Sequence, residues 1–152
     1  MMLNSKPKYF KRTLSVLLEI YLREEGIRHC RLGGFTLPKE GEMSGKPVET
    51  YCIGNHKEIP DIVLETMIPG ESINSLDIYK SKRVPEVWFW NLAQLRVFYL
   101  NGDDYQEMTR SELVSELDLN MLLHYSQYYD QHEAVQGFLE IFRGPFKKVD
   151  SL

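Results

Sequence analysis

Residues 59–90 read IPDIVLETMIPGESINSLDIYKSKRVPEVWFW, and this stretch decides the expected fold. Because side chains alternate along a strand, a strand over residues 61–67 has one apolar face and one face that carries Asp61 and Glu65. These two carboxylates lie four residues apart, which is roughly 13 Å along a strand. They cannot share one metal ion unaided, so a metal site here needs a further acid from a neighbouring strand.

The second half of the stretch predicts that the chain crosses over a helix into another strand. Pro69 and Gly70 are followed by apolar residues at helical spacing over residues 73–79. Pro85 then precedes a strongly aromatic strand, residues 86–90. This order predicts a β-α-β crossover. Since consecutive aromatic side chains point to opposite faces, both faces of that strand need cover, and core packing is favoured over a dimer interface.

Periodicity on both sides of this stretch predicts one domain of mixed structure. Helices are expected over residues 7–25, 111–125 and 130–144. Further strands are expected over residues 27–37, 48–53, 94–100 and 105–108. These elements predict an α/β (α+β mixed) fold in a single domain, residues 1–144, followed by a poorly ordered C-terminal tail, residues 145–152.

Size and charge limit the classes of function. The chain has 152 residues, 43% of them hydrophobic, which is enough for one core without disulfides or structural metals. The net charge of −4 does not indicate nucleic-acid or membrane binding, so any contact with DNA needs a local basic patch. The basic residues within 6–12 and 80–83 are candidates, although a solvated surface is the simpler interpretation.

The cysteine content indicates the compartment. Cys30 and Cys52 are the only two cysteines, and they show no CxxC spacing. Free thiols in a reducing cytoplasm are therefore expected. We expect neither a signal peptide nor a membrane span, because the longest early apolar run is short and is interrupted by Glu19.

Six segments, spread over nearly the whole chain, carry a resemblance to a known family. They are IPDIVLE at 59–65, LDIY at 76–79, VPEVWFW at 84–90, YCIG at 51–54, TRSEL at 109–113 and DQ at 130–131. They resemble a restriction-endonuclease family expanded in cyanobacteria, within the PD-(D/E)XK nuclease superfamily. The resemblance implies a restriction-endonuclease-like mixed β-sheet flanked by helices. It also implies central acids that hold Mg²⁺ or Mn²⁺ for cleavage of DNA phosphodiester bonds.

The resemblance assigns site residues one at a time. Glu65 matches the family's metal-binding acid, and Asp61 and Glu49 are the candidate supporting ligands. The family's lysine matches Ser75 instead, and Lys80 and Lys82 are nearby. Lys82 lies on nearly the same helix face, about 10 Å along the axis from Ser75, and is taken as the candidate. The candidate catalytic residues are thus Glu65, Asp61 and Lys82, and the candidate metal ligands are Glu65, Asp61 and Glu49.

Three departures from the family pattern predict a degenerate site, and the missing lysine is the first. Pro47-Val48 stands where the family has a Pro-Asp pair, and alternation turns the next acid, Glu49, to the opposite face unless a bulge re-aims it. Pro7-Lys8 stands where the family has a His-Glu pair, and the lysine charge opposes metal binding.

Two functional hypotheses follow from these observations. The first is a metal-dependent DNA endonuclease that uses Mg²⁺ or Mn²⁺. The second is an inactive nuclease-fold module that binds DNA or protein partners. A homodimer is compatible with either hypothesis, and neither involves a membrane.

Overall fold

The computed structural model describes residues 6–32, 49–66, 76–91 and 93–150, with side chains described for residues 12–143 of these ranges. Four helices and six strands follow one another along the described chain. In order they are α1 (Lys6–Glu24), β1 (His29–Arg31), β2 (Glu49–Ile53), β3 (Ile62–Thr66), α2 (Leu76–Ser81), β4 (Glu86–Trp90), β5 (Leu95–Asn101), β6 (Asp104–Met108), α3 (Leu119–Ser126) and α4 (Gln131–Asp150). The expected α/β mixture is confirmed.

The six strands form one mixed sheet in the sequential order β1-β2-β3-β4-β5-β6. Strands β3 and β4 are parallel, and each of the other neighbouring pairs is antiparallel. Helix α2 lies between the two parallel strands in the chain, which confirms the predicted crossover. The turn between β5 and β6 contains Gly102 at a φ of 71°, a left-handed conformation that glycine adopts without steric cost.

Hydrophobic residues cover both faces of the sheet. We call the side with α1, α3 and α4 the first core, and it contains Leu17, Leu122, Phe138, Trp88 and Trp90. The side with α2 is the second core, and it contains Val63, Tyr79, Val87, Phe89 and Phe98. The aromatic side chains of β4 thus alternate between the two cores, which confirms that they pack inside the molecule.

The expected helix over residues 111–125 begins later than predicted, at Leu119. Asp118 caps it, because its Oδ1 accepts from two backbone N–H groups of the first turn at 3.1 Å each. The residues before it form turns that are bonded to the carboxylate of Glu86 on β4. A contact between elements that are distant in sequence therefore overrides the local helical periodicity.

The last helix begins as predicted, since Asp130 accepts from the N–H of His132 at 2.9 Å. It continues to Asp150, so the predicted helix end near Gly144 is wrong. A glycine and a proline weaken a helix without forbidding it. Two phenylalanines hold the turns of this helix that precede Gly144. Phe138 lies in the first core, and Phe142 packs against it.

Four predicted boundaries fall on residues outside the described ranges, and two of them are Val48 and Met67, at the ends of the strands predicted over 48–53 and 61–67. Strand β1 covers residues 29–31 of the predicted strand 27–37, whose last residues lie outside. Helix α2 is described from Leu76, and the predicted start near Ile73 lies outside as well.

Candidate functional site

Glu65 lies in β3, between β2 and β4, and its side chain is only 3% exposed. Its register partner on β4 is Phe89, which belongs to the second core, so Glu65 faces that core. The pKa of the nearby Tyr79 hydroxyl is raised, first by burial and then by the negative charge of Glu65. These aromatic neighbours supply no second carboxylate for a divalent cation.

Asp61 precedes β3 and holds the connection between β2 and β3. Its Oδ2 accepts from Lys57 Nζ at 2.6 Å and from the Ile53 backbone N–H at 2.7 Å. Lys57 Nζ also donates to the Ile53 carbonyl at 2.6 Å. The hydrogen bond to Asp61 is the main reason that the pKa of Lys57 is raised. A lysine ammonium thus occupies the space beside Asp61 that a metal ion would need.

Glu49 lies on the other face of the sheet. Its register partner on β3 is Leu64, which belongs to the first core, and no bulge interrupts the described pairing of β2 with β3. Arg31 stands 3.6 Å away from Glu49 and also 3.6 Å from Glu19. Burial raises the pKa of Glu49, and the positive charge of Arg31 opposes that shift. Glu49 therefore belongs to an ion-pair cluster on the α1 side, opposite Glu65.

Lys82 follows the end of α2, in the turn that leads to β4, and its backbone N–H donates to the Tyr79 carbonyl at 3.1 Å. The register pairs Glu86, the first residue of β4, with Ile62, the first residue of β3. The chain therefore carries Lys82 toward the start of β3, whereas Glu65 lies near its end.

The predicted metal site is consequently dispersed. Glu65 faces the second core, Glu49 lies on the other face of the sheet, and Asp61 precedes β3 and is paired with Lys57. Among the residues that the structure describes, no group of three or more His, Cys, Asp or Glu side chains could hold a metal ion. These residues do not fit Mg²⁺ or Mn²⁺, and Val48 and Ser75 lie outside the described ranges.

Two basic residues of the predicted patches, Lys80 and Arg83, form ion pairs within the protein. Lys80 Nζ lies 3.0 Å from Asp104, and Arg83 lies 3.3 Å from Asp103. The Lys80 ion pair joins α2 to Asp104, the first residue of β6. The Arg83 ion pair joins the turn after α2 to Asp103, in the turn before β6. The side chains of residues 6–11 lie outside the described part of the chain.

A fourth acid, Glu86, was not among the predicted site residues. It is completely buried and accepts four hydrogen bonds. The donors are Trp88 Nε1 at 2.9 Å, the Ser111 hydroxyl at 2.7 Å, and the backbone N–H groups of Glu112 at 2.6 Å and Leu113 at 3.0 Å. Strand alternation places Glu86 on the same face as Trp88, a signal from which its burial could have been predicted.

No family model, no curated protein and no solved structure matches the sequence. The fold defines the class as a mixed α/β domain with a six-stranded sheet. None of the described helices is long and apolar enough to cross a membrane. Function must therefore be inferred from the chain's own residues.

Proposed function

We propose that this chain is a restriction-endonuclease-like domain that binds DNA without cleaving it. The mixed sheet with helices on both faces, and the crossover that joins two parallel strands, support the nuclease-like part of this proposal. DNA is the partner that the sequence resemblance implies. A cytoplasmic location accompanies the proposal, because two unpaired cysteines suit a reducing compartment.

One observation carries the non-cleaving part of the proposal, namely the distribution of the acids around β3. A divalent-metal site requires several oxygen ligands around one point. Glu49 and Glu65 face opposite sides of the sheet, and Asp61 is already paired with Lys57. Because the residues do not converge, no hydrolytic step is assigned to them.

The second candidate is a metal-dependent DNA endonuclease, and the burial of Glu65 favours it. Glutamate is rarely buried in a central strand, and buried titratable side chains are concentrated at functional sites. Glu65 is 3% exposed and belongs to the segment 59–65, one of those that carry the resemblance. In this alternative Glu65 is the essential acid.

Cleavage of supercoiled plasmid distinguishes the two candidates. Wild-type protein, Glu65→Gln and the matched control Glu112→Gln, whose side chain is exposed, are each incubated with Mg²⁺ or Mn²⁺. We expect no cleavage by any of the three. Metal-dependent cleavage by the wild type and the control that disappears in Glu65→Gln would establish the endonuclease and reject the non-cleaving module.

Fluorescence anisotropy of a labelled DNA duplex tests the binding itself. We expect affinity to fall as salt concentration rises, since phosphate contacts release counterions. Absence of binding at low salt would exclude DNA and would leave a protein partner as the ligand. Light scattering after gel filtration determines whether the chain is a homodimer, and a monomer at the concentrations used for binding would exclude one.

A further inference from the structure

The register of the first two strands brings the two cysteines of the chain together. Cys30 on β1 is the direct partner of Cys52 on β2. Since side chains of opposed residues share one face of a sheet, both thiols point to the same side. Both are free, with Cys52 buried and Cys30 partly exposed.

The hydrogen bonds on either side define the geometry of this pair. Leu32 N–H donates to the Thr50 carbonyl at 2.9 Å, and Gly54 N–H donates to the Arg28 carbonyl at 2.7 Å. Hydrogen-bonded and non-hydrogen-bonded pairs alternate along an antiparallel ladder, so the cysteines form a hydrogen-bonded pair with Cα atoms about 5.5 Å apart. That separation lies within the range of about 4.4–6.8 Å that disulfides span.

The surroundings give the two thiols different roles. Cys30 lies on β1, which is the first strand of the sheet order and pairs only with β2 in the described structure. An external reagent therefore reaches Cys30 first. Cys52 Sγ accepts the Lys57 backbone N–H at 3.3 Å, which favours the thiolate, and donates to the Lys57 carbonyl at 3.6 Å, which favours the thiol. Burial raises the pKa of the Cys52 thiol, so Cys52 reacts because Cys30 lies opposite it. Cys52 is suited to a second, intramolecular attack.

We propose that Cys30 and Cys52 form a reversible redox modification site that closes as a cross-strand disulfide. The Cys30 thiolate attacks a small disulfide such as glutathione disulfide, which forms a mixed disulfide and releases one glutathione thiol. The Cys52 thiolate then attacks the Cys30 sulfur and releases the second glutathione thiol. Two protein thiols are oxidised, one disulfide is reduced, and the two protein protons end on the two glutathione thiols.

The bond should be easily reduced again. Cβ atoms of opposed residues are about 4.5–5.5 Å apart and are closer in the non-hydrogen-bonded kind of pair. A disulfide prefers about 3.8 Å, so closure must draw β1 and β2 together and leaves strain in the bond. Strained disulfides are the labile ones. This inference concerns β1 and β2 alone and does not depend on the proposed function.

The test uses the reduced full chain in buffers with graded ratios of oxidised to reduced glutathione. Samples are quenched with acid, alkylated and weighed by mass spectrometry. We expect a monomer that has lost two hydrogen atoms and takes up no alkylating reagent, and that returns to two free thiols in excess reduced glutathione. Because the sequence contains two cysteines, an intramolecular disulfide has one assignment.

Cys52→Ser and Cys30→Ser are the matched variants. Cys52→Ser should stop at the mixed disulfide on Cys30, with that species about tenfold more abundant than in the wild type, where an intramolecular thiol resolves it. Cys30→Ser should leave the buried Cys52 unmodified. If a variant does not fold, peptide mapping of the wild-type mixed disulfide after a short exposure shows which cysteine reacts first.

Three results would overturn the proposal. These are stable mixed disulfides on the wild-type protein, disulfide-linked dimers on a non-reducing gel, and an intramolecular bond that forms only after unfolding in urea. A first reaction at Cys52 would reject the assigned order of attack.

Discussion

Replacement of Glu86 tests how the segment after β6 is held to the sheet. The carboxylate is buried and accepts from Trp88, Ser111, Glu112 and Leu113. In Glu86→Gln the side-chain oxygen keeps the two donors of one carboxylate oxygen. The NH₂ group replaces the other oxygen, so its own N–H bonds point at the two remaining donors. Two buried donors then lose their acceptor.

The cost follows from those two donors. A buried donor left without a partner costs about 1–3 kcal/mol. Neighbouring losses are not additive, so we expect Glu86→Gln to lower the free energy of unfolding by about 3 kcal/mol. Glu86→Ala removes all four acceptor contacts and leaves a cavity, so its cost should be larger. Against a total stability of about 5–15 kcal/mol, the glutamine variant should still fold.

Urea unfolding followed by the fluorescence of Trp88 and Trp90 measures this cost, because both indoles are buried in the native protein. Glu112→Gln is the control, since it alters an exposed side chain in the same segment. The control should stay within about 0.5 kcal/mol of the wild type. The proposed role of Glu86 would be refuted if Glu86→Gln were as stable as that control.

Two further predictions concern packing and pH. In Gly137→Ala the new Cβ would lie 2.5 Å from a ring carbon of Tyr125, and we expect a net loss of about 1 kcal/mol after the better helix propensity of alanine is included. The pair Gln136→Gly and Gln136→Ala, at an exposed site of the same helix, measures the glycine-to-alanine difference in helix propensity alone. A Gly137→Ala variant that gained as much stability in urea as that difference would contradict the predicted clash. Arg96 lowers the pKa of Glu107 through two hydrogen bonds of 2.8 Å each. At pH values above the usual carboxyl pKa, this partly exposed pair should contribute less than about 1 kcal/mol to the free energy of unfolding. That contribution should vanish as the pH falls through the folded pKa of Glu107. Urea unfolding of Arg96→Gln at neutral and acid pH checks this, and a difference from the wild type that persists in acid would exclude the pair as its cause.

Local periodicity was sufficient for the centre of the fold. Residues 59–90 contain a strand, a helix and a second strand, and each is present with the expected crossover. The helix expected from Ser111 failed because Glu86, 25 residues earlier, binds that segment as turns. Helical spacing records which residues are apolar, and it contains no information about a buried carboxylate on a distant strand.

The candidate site was predictable in part, from strand alternation. Alternation predicts one face for Asp61 and Glu65, and it turns Glu49 away from the position where the family has its aspartate. The register then places Glu49 opposite Leu64, on the other face of the sheet from Glu65. The partners of these acids were not predictable. Lys57 reaches Asp61 because the β2–β3 connection folds back, and Arg31 reaches Glu49 because β1 pairs with β2. Both contacts depend on pairing between strands, which the sequence of one strand does not reveal.

Three acids, Asp61, Glu49 and Glu86, stabilise the fold through their described partners. Asp61 joins the β2–β3 connection to β2, Glu49 pairs with Arg31 on the neighbouring strand, and Glu86 holds the segment after β6. A buried or half-buried carboxylate is stable only when donors or cations compensate for lost water. In a metal enzyme the ion supplies much of that compensation. Here lysine, arginine and N–H or O–H donors supply it for these three acids, so their burial is explained by contacts within the described part of the chain.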